Sequence, residues 1–291
     1  MWNGRRVIVA GGTAGFGLVL ARHLLRAGAR VLVVGRSAAG VRGALEACSR
    51  AGMPTLHLHG LAADLGRPGE GPRAVAEAIK LLGGVDDLFF CVGRSGRAQM
   101  LGTSRATLQE YLDANLLSAI EITQAVADDV ATARGHLVYI GSLAGKIVLP
   151  FMGPYCVAKS ALAAYVDAVR LEIAPRGGHV LLVSPGPIRR GADDPAVERA
   201  ATRYAAEAEA AGLPPEALAP GGTTSLRQLD PEILAEKILA ACKRRTSELV
   251  VPRKAGLLAG LIEWCPDFGR RLLARATARG GAGPHRQRPP V

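Results

Sequence analysis

The sequence predicts an α/β fold in which one parallel sheet is covered on both faces by helices. Short runs of β-branched and aliphatic residues alternate along the chain with longer stretches rich in alanine and leucine. The short runs are continuously apolar, as in Val31-Leu32-Val33-Val34, which indicates strands buried on both faces and hence a parallel sheet between two helix layers. Right-handed crossovers between such strands give a doubly wound sheet.

The alternation is regular enough to predict a single doubly wound Rossmann-type domain of about seven parallel strands with helices on both faces. The 291 residues, 49% of them hydrophobic, suffice to bury a large core in one domain. Strands are predicted at 6–10, 30–35, 55–59, 87–92, 136–141, 179–184 and 248–251. Helices are predicted at 15–27, 39–51, 72–82, 107–133, 153–174 and 231–244.

Two regions depart from this alternation. Within the domain, assigned to 1–253, segment 188–229 is predicted to be a loop and helix insertion that covers the substrate, with Asp194-Pro195 as the helix start. After the domain, Leu257, Leu261 and Leu272 belong to an apolar pattern of helical spacing, so 254–279 is predicted to be an amphipathic helical extension. The last residues, 280–291, are predicted to be a disordered basic tail.

The formal net charge of +11 is concentrated near the C-terminus, where 243–291 holds eleven Lys and Arg against three acids. A basic tail can bind nucleic acid or an anionic membrane surface. No nucleic-acid fold motif or interleaved aromatic residue accompanies it. We interpret it as a solvated tail and expect no nucleic-acid partner, with peripheral membrane contact as the less favoured alternative.

Other features of the sequence favour a cytoplasmic protein. The five cysteines form no C-x-x-C pair, and their odd number fits reduced thiols better than a disulfide framework. We expect no signal peptide, because the first strand begins within ten residues of the start. No run of about 18 apolar residues is present to span a membrane, and no cysteine and histidine cluster has zinc spacing, so we predict no metal.

The turn after the first predicted strand is rich in glycine. Gly11, Gly15 and Gly17 are spaced G-x-x-x-G-x-G, one residue longer than the usual dinucleotide-binding fingerprint. Glycines let a pyrophosphate approach the backbone, and the following helix offers free N–H groups and the positive end of its dipole. A purely structural turn is the alternative. The predicted pyrophosphate-binding residues are Gly11, Thr13, Ala14, Gly15, Phe16 and Gly17.

The end of the second predicted strand indicates which nicotinamide dinucleotide binds. An acid here would hydrogen-bond the ribose of NAD and repel a 2′-phosphate, but the sequence has Gly35-Arg36-Ser37. Arg36 can pair with a phosphate through charge-assisted hydrogen bonds, and Ser37 can add a hydroxyl donor. We therefore predict NADP(H) in preference to NAD(H), although a plain surface arginine would look the same.

Motifs along residues 5–252 resemble those of the short-chain dehydrogenase/reductase (SDR) family. A Tyr-x-x-x-Lys pair alone is weak evidence, because a tyrosine and a lysine four residues apart on a helix are common. Here Ser142 lies thirteen residues before Tyr155, and the motifs follow one another in the order of the family. The matching residues are Gly11, Gly15, Gly17, Asp64, Leu65, Asn115, Ser142, Tyr155, Lys159, Pro185 and Gly186.

The chemistry of Tyr155 and Lys159 agrees with the resemblance. One helical turn separates them, so their side chains share a face. An ammonium near a phenol favours the phenolate, so we expect it to lower the pKa of Tyr155 from about 10 toward neutrality. Tyr155 could then protonate the alkoxide formed in carbonyl reduction, or deprotonate an alcohol in the reverse reaction. Ser142 would hydrogen-bond and polarise the substrate oxygen.

The resemblance implies further roles. Lys159 would also bind the nicotinamide ribose, Asn115 would hold a water that passes protons to Lys159, and Asp64 would hydrogen-bond the adenine. Taken singly, Ser142 and Asp64 could instead support turns and Asn115 could satisfy helix backbone. Position in the motifs adds cofactor contacts by Leu65, Gly93, Pro185, Gly186 and Ile188.

Two segments depart from the family pattern. Phe90-Cys91-Val92-Gly93 replaces the usual Asn-Asn-Ala-Gly, so hydrogen bonding beneath the cofactor is expected to differ. Arg190 stands where the family often has a threonine that touches the nicotinamide carboxamide. Neither departure removes an acid–base residue.

The substrate is predicted only as an apolar small-molecule carbonyl or alcohol, with a lipid-like compound as one interpretation. Apolar residues near the site by motif position suggest such a pocket, although core packing explains them equally: Leu143, Leu149, Phe151 and Met152. One alternative is a beta-ketoacyl-thioester reductase whose Arg189 and Arg190 meet a phosphopantetheine group. Another is a noncatalytic NADP(H)-binding regulator. The resemblance also implies a homodimer or homotetramer formed through the helices that carry Asn115 and Tyr155.

Overall fold

A computed structural model describes residues 1–190, 195–218 and 227–278. Its centre is a seven-stranded sheet in which every neighbouring pair is parallel, in the order β3-β2-β1-β4-β5-β6-β7. This confirms the predicted doubly wound class. The strands are β1 Arg6–Ala10, β2 Arg30–Gly35, β3 Leu58–Ala62, β4 Asp87–Phe90, β5 His136–Ile140, β6 His179–Pro185 and β7 Glu248–Val251.

Helices pack on both faces of this sheet. Because the side chains of a strand alternate between its faces, Ile8 of β1 joins a core with α3, α5 and α6, while Val9 joins a core with α1 and α8. The helices are α1 Gly15–Arg26, α2 Ala38–Arg50, α3 Glu70–Leu82, α4 Arg105–Leu112, α5 Ser118–Thr132, α6 Gly153–Ile173, α7 Pro195–Ala210, α8 Pro231–Lys243, α9 Arg253–Trp264 and α10 Pro266–Ala278.

The third strand begins later than predicted. Residues Thr55–His57 form a 3-10 turn, and only Leu58–Ala62 pair with β2. Gly60, which follows the predicted strand, lies within the observed one. A Cβ on Gly60 would approach the Val41 side chain to 2.4 Å, so this glycine lets α2 pack closely over the strand. The third strand is therefore present, but its predicted bounds of 55–59 were three residues too early at both ends.

The long helix predicted at 107–133 contains a local change of winding. It runs as α4, continues as a π-helix over Asp113–Leu117, and continues again as α5. Asn115 lies in the π segment and is fully buried. Such single-turn π segments widen the helix and often accompany functional residues.

The insertion and the C-terminus are described in part. Helix α7 lies within the predicted 188–229 insertion, and α9 and α10 lie within the predicted 254–279 extension. The predicted helix start at Asp194 and the predicted tail at 280–291 fall outside the described residues. Throughout the ranges that the structure covers, no helix combines the length and the apolar character needed to cross a membrane. All five cysteines are free thiols.

Two buried histidines form a hydrogen bond at the amino end of the sheet. His136 of β5 and His179 of β6 bond through their Nδ1 atoms at 2.8 Å, and His179 Nε2 lies 2.9 Å from the Thr246 carbonyl oxygen. A carbonyl only accepts, so His179 carries its proton on Nε2 and accepts from the Nδ1–H of His136. Burial is the main cause that lowers the pKa of both rings, to about 3 for His136.

This pair makes the free energy of unfolding sensitive to mild acid. The unfolded histidines take up protons below about pH 6.5, whereas the folded pair stays neutral because its pKa values are depressed. The contribution to stability is therefore present above pH 6.5 and declines as the pH falls, by about 1.4 kcal/mol per pH unit for His136 and by no more than that for His179. We expect urea unfolding at pH 7.0 and 5.5 to show this decrease.

A matched pair of variants separates the pair from other acid effects. In His179→Gln the amide can still accept from His136 and donate to Thr246, so the variant should fold and show a reduced pH slope. Exposed His57 provides the control, because His57→Gln should leave the slope unchanged. A wild-type free energy that is constant between pH 7.0 and 5.5 would contradict the prediction.

Candidate active site

A cleft of about 950 Å³ lies at the carboxyl ends of the strands. This is the edge of a doubly wound sheet where ligands bind. The glycine turn after β1 lines one end, and the residues that follow β5 and β6 line the other. Predicted site residues that the fold brings together here are Gly11, Ala14, Gly15, Phe16, Gly17, Gly93, Ser142, Tyr155, Lys159, Pro185, Gly186 and Ile188.

The glycine turn is compact for a steric reason. A Cβ on Gly17 would lie 2.2 Å from the Gly11 carbonyl oxygen, so helix α1 can approach the turn this closely only with glycine at that position. Gly11 and Gly15 adopt positive φ values of +77° and +54°, which favour glycine. The turn is held to the neighbouring strand by the Gly11 N–H, which donates to the Val34 carbonyl at 2.8 Å.

The start of α1 fits the pyrophosphate of a dinucleotide. Ala14 precedes the helix and has no side-chain cap, and Leu18 makes the first backbone bond back into the turn, to the Ala14 carbonyl. The N–H groups of Gly15, Phe16 and Gly17 thus have no helical partner. They face the cleft together with the positive end of the helix dipole, an arrangement that suits a phosphate group.

Other predicted cofactor residues lie beyond the cleft wall, around the ends of β2 and β3. Arg36 is exposed directly after β2, and Ser37 caps α2 by accepting from the Gly40 N–H at 3.1 Å. Asp64 follows β3 and accepts from the Gly66 N–H, while Leu65 is buried in the core. Thr13 packs against Gly35, where a Cβ would approach its hydroxyl oxygen to 2.2 Å.

Ser142 and Tyr155 line the same part of the cleft, and the Ser142 side chain acts to lower the pKa of the Tyr155 phenol. Ser142 follows β5 in an extended conformation, and its Oγ also accepts from the Ala144 N–H at 3.1 Å, which caps a short 3-10 turn. Ser142 therefore both caps this turn and lines the cleft. Tyr155 lies in the first turn of α6, directly after Pro154 in the same turn.

Lys159 lies one turn further along α6 and is only 4% exposed. Its Nζ donates to the Ile140 carbonyl at 3.1 Å and lies 5.9 Å from the centre of the Tyr155 ring. Burial lowers the pKa of Lys159 to about 8, with the Cys91 side chain acting in the opposite direction. The ammonium is thus held beside the phenol, as the motif predicted, but it is bonded to the end of β5.

The predicted lowering of the Tyr155 pKa was wrong. Burial raises the pKa of Tyr155 to about 12, and this outweighs Ser142 and the charge of Arg190, which both lower it. Lys159 is not among the main causes of the shift. Helical spacing predicted the proximity of the two side chains but not the desolvation of the phenol. At neutral pH the tyrosine is therefore protonated and can act as a proton donor.

Asn115 lies behind the cleft rather than on its surface. Its Nδ2 donates to the carbonyls of Arg94 and Tyr111, both at 2.9 Å. Its Oδ1 is buried and has no hydrogen-bond partner among the described residues. A Cβ on Gly93 would lie 2.8 Å from that oxygen and 3.2 Å from Lys159 Nζ. The amide oxygen and the ammonium therefore face one small space over Gly93, where an orphaned acceptor fits a water or a ribose hydroxyl.

The two departures from the expected motifs both touch the cleft. Cys91 replaces an asparagine beneath the glycine turn, and its N–H donates to the Ala10 carbonyl at 2.8 Å. Burial raises the pKa of the Cys91 thiol to about 12, so it is an apolar wall rather than a nucleophile. Arg190 also lines the cleft and acts electrostatically on Tyr155.

Several cleft residues have no motif and were not predicted individually. Tyr204 of α7 lines the cleft and shares a hydrogen bond with the Ser95 hydroxyl. Arg97 is 4% exposed, and its guanidinium lies 4.5 Å from the Tyr204 ring. The sequence signal for Tyr204 was the insertion itself, which was predicted to cover the crevice. Nothing in the sequence distinguished Arg97 from other loop arginines.

Known proteins are similar to this chain in sequence and in fold. A family model described as short chain dehydrogenase matches residues 5–200. Dehydrogenase/reductase SDR family member 7B of Xenopus tropicalis is 30% identical over 259 residues, which cover 88% of this chain and 78% of that protein. Hydroxysteroid 11-beta-dehydrogenase 1-like protein of Bos taurus is 29% identical over 172 residues, 59% of each chain.

A solved structure shows the same architecture. It is described as that of a candidate betaketoacyl-ACP reductase and superposes with a TM-score of 0.69 at 25% identity. The superposition covers 86% of this chain and 97% of the other. The similarity therefore extends well beyond the short motifs around the cleft.

Proposed function

This chain belongs to the short-chain dehydrogenase/reductase family, and from that premise we propose that it is an NADP(H)-dependent carbonyl reductase with Tyr155 as the general acid. Family membership rests on the match over residues 5–200 and on the related sequences and fold. An oxidoreductase of this family binds a nicotinamide dinucleotide. The choice of phosphate form, the direction and the substrate are the proposed parts.

The observation that carries the proposal is that Ser142 and Tyr155 line one cleft beside buried Lys159, whose Nζ lies 5.9 Å from the centre of the Tyr155 ring. A phenol with a pKa of about 12 holds its proton at neutral pH, which is the form needed to protonate a developing alkoxide. Ser142 can donate to the same oxygen and stabilise its charge. The bound cofactor supplies the hydride, and the protein supplies orientation and the proton. The reverse oxidation would require the phenolate and hence higher pH.

Residues around Gly93 can replace the proton that Tyr155 gives up. Lys159, with a pKa lowered to about 8, can exchange a proton near neutral pH. The Asn115 amide oxygen faces the same space over Gly93 as Lys159 Nζ, so it can hold a water next to the ammonium.

The preference for NADP(H) is supported by the end of β2. Arg36 is exposed there, and the structure gives it no ion pair with any described residue. Ser37 already accepts a backbone hydrogen bond through its oxygen, which leaves its hydroxyl proton available to a phosphate. A 2′-phosphate would thus meet a guanidinium and a hydroxyl rather than a carboxylate.

The substrate half of the cleft favours an apolar carbonyl compound. Leu149 and Met152 line it next to Tyr155, and Ala205 and Leu218 line it from the insertion. A relative carries a hydroxysteroid dehydrogenase-like name, which describes an apolar substrate class for that protein. The structural relative described as a candidate betaketoacyl-ACP reductase favours ketoacyl thioesters as the second candidate class. Arg189, exposed at the cleft and paired with Asp230, would lie near the charged carrier arm of such a substrate.

A substrate screen tests the proposed function. Oxidation of NADPH at pH 7 should be measured by loss of its absorbance with steroid-like ketones, long-chain ketones and aldehydes, and ketoacyl thioesters. We expect turnover with at least one apolar ketone class. A thermal shift on adding NADPH, without turnover on any of these classes, would instead favour a noncatalytic NADP(H)-binding protein.

The cofactor preference has its own test at Arg36. Replacing a guanidinium that contacts a phosphate removes a charge-assisted interaction of about 1.5–3 kcal/mol, so Arg36→Ala should lower kcat/KM for NADPH at least about tenfold. The value for NADH should not fall, because the 2′-hydroxyl of NADH does not need the positive charge. Arg50→Ala, at the far end of α2, is the control and should change neither value. Equal use of NADH and NADPH by the wild type would contradict the preference.

A further inference from the structure

The loop at 94–97 connects helix α7 of the insertion with the buried asparagine of the site. On its outer side the Arg94 guanidinium and the Arg97 N–H contact α7. On its inner side the Arg94 carbonyl accepts from Asn115 Nδ2 at 2.9 Å. The four-residue loop 94–97 therefore contacts both the insertion and the asparagine beside the space over Gly93.

One carboxylate of α7 contacts both ends of this loop. Oε1 of Glu207 lies 3.2 Å from Arg94 Nη2, and Oε2 accepts from the Arg97 N–H at 2.9 Å. Gly96, between Arg94 and Arg97, is packed too closely to carry a side chain. A Cβ at this position would lie 2.4 Å from Glu207 Oε2 and 1.8 Å from the Tyr111 hydroxyl. The loop is therefore clamped between Glu207 on one side and Tyr111 on the other.

The 94–97 loop supplies one of the two carbonyl acceptors that orient the Asn115 amide. Both Nδ2 hydrogens of Asn115 are directed at carbonyls, those of Arg94 and Tyr111. With both donors engaged, Oδ1 is directed toward Gly93 and the Lys159 ammonium. If the Arg94 carbonyl moved, one donor of a fully buried amide would lose its acceptor, and the amide would gain freedom to turn.

We propose that Glu207 is a positioning residue, which holds the 94–97 loop so that the Arg94 carbonyl keeps the Asn115 amide oxygen directed at Lys159. Neither carboxylate oxygen of Glu207 bonds a residue of the acid–base set, so its effect passes through the loop. For turnover the inference rests on the proposed function, in which Asn115 serves the proton route. For structure it rests only on the contacts of Glu207, Arg94 and Asn115.

The first test is Glu207→Gln, which keeps the shape of the side chain and an acceptor for the Arg97 N–H but removes one of the two carboxylates that bind Arg94, the other being that of Glu110. We expect kcat to fall about tenfold, in line with loss of one charge-assisted hydrogen bond, while the KM for NADPH stays within about twofold. Glu209→Gln is the matched control, because Glu209 is exposed on the same helix, and its kcat should equal that of the wild type. An unchanged kcat in Glu207→Gln would overturn the proposal.

A double-mutant cycle separates action through Asn115 from a direct effect on the substrate pocket. In the Asn115→Ala background, Glu207→Gln should lower kcat by less than about twofold, because the group through which it acts is gone. If Glu207→Gln still lowers kcat about tenfold in that background, it acts elsewhere, and the positioning role is refuted.

The last test needs no turnover. The chain contains two asparagines, Asn3 and Asn115, so protein labelled with ¹⁵N-asparagine gives two side-chain amide signals in an NMR spectrum. The Asn115 signal should shift in Glu207→Gln and remain in place in Glu209→Gln. A shift in a protein that reduces no ketone would support the positioning role while the proposed function fails. An unshifted signal in Glu207→Gln would overturn the role whatever the activity.

Discussion

Tyr155→Phe is expected to lower kcat for ketone reduction by about 10²–10⁴-fold, the usual contribution of a positioned general acid. The substitution removes the proton that the phenol, with its pKa of about 12, retains at neutral pH. It keeps the aromatic ring in the wall of the cleft, so the cofactor should still bind. Stopped-flow or steady-state NADPH oxidation gives kcat, and a binding titration gives the NADPH affinity.

A second tyrosine on the same helix provides the control. Tyr165 lies on α6, packs against the core with its ring edge-on to that of Tyr139, and does not line the cleft. Tyr165→Phe keeps this ring and should leave kcat unchanged. Turnover by Tyr155→Phe within about threefold of the wild type would refute the assignment of Tyr155 as general acid.

Gly17→Ala is expected to lower kcat/KM for NADPH about 100-fold or more, because a pyrophosphate that accepts two charge-assisted hydrogen bonds from the turn would lose them. The added Cβ would lie 2.2 Å from the Gly11 carbonyl oxygen and 3.2 Å from the Gly12 Cα. These are backbone atoms, so helix α1 and the glycine turn must move apart. Overpacking of this kind also costs about 1–3 kcal/mol of stability.

A helical glycine in open space is the matched control for Gly17. Gly43 lies in α2, and a Cβ placed on it meets no atom within 4 Å. Gly43→Ala should raise stability by about 0.5–1 kcal/mol through better helix propensity and leave NADPH use unchanged. The two variants are compared by calorimetric NADPH titration and by urea unfolding. An NADPH affinity in Gly17→Ala equal to that of the wild type would contradict a pyrophosphate site at this turn.

Much of the fold could be predicted because its strands are buried on both faces. Continuous apolar runs such as that in β2 are best kept from water when both faces of the strand are covered, so the number and the parallel direction of the strands follow from local pattern and the handedness of crossovers. The start of β3 did not follow. Gly60 lies inside this strand, where its lack of a Cβ makes room for the Val41 side chain of α2. The two residues are 19 positions apart, so local pattern does not reveal this contact.

The candidate site was predictable to the extent that its residues carry motifs. The glycine turn, Ser142, Tyr155 and Lys159 lie together at the cleft as the motif order indicated. Glu207 belongs to no motif, and only the fold brings it within 3.2 Å of Arg94, a residue 113 positions earlier. Similarly, the π segment around Asn115 is not encoded by any recognisable local pattern.

The sequence by itself determined the family, the doubly wound sheet and the identity of the motif residues that meet at its carboxyl edge. Periodicity and motif spacing are local properties, and strand order then places the motif residues side by side. Only the tertiary structure decided the ionisation of these groups and the direction of the Asn115 amide. The pKa of Tyr155 rises to about 12 because the folded protein removes water from the phenol. Desolvation depends on every atom packed around a group, so helical spacing alone could not reveal that the Tyr155 and Lys159 pair favours a protonated phenol.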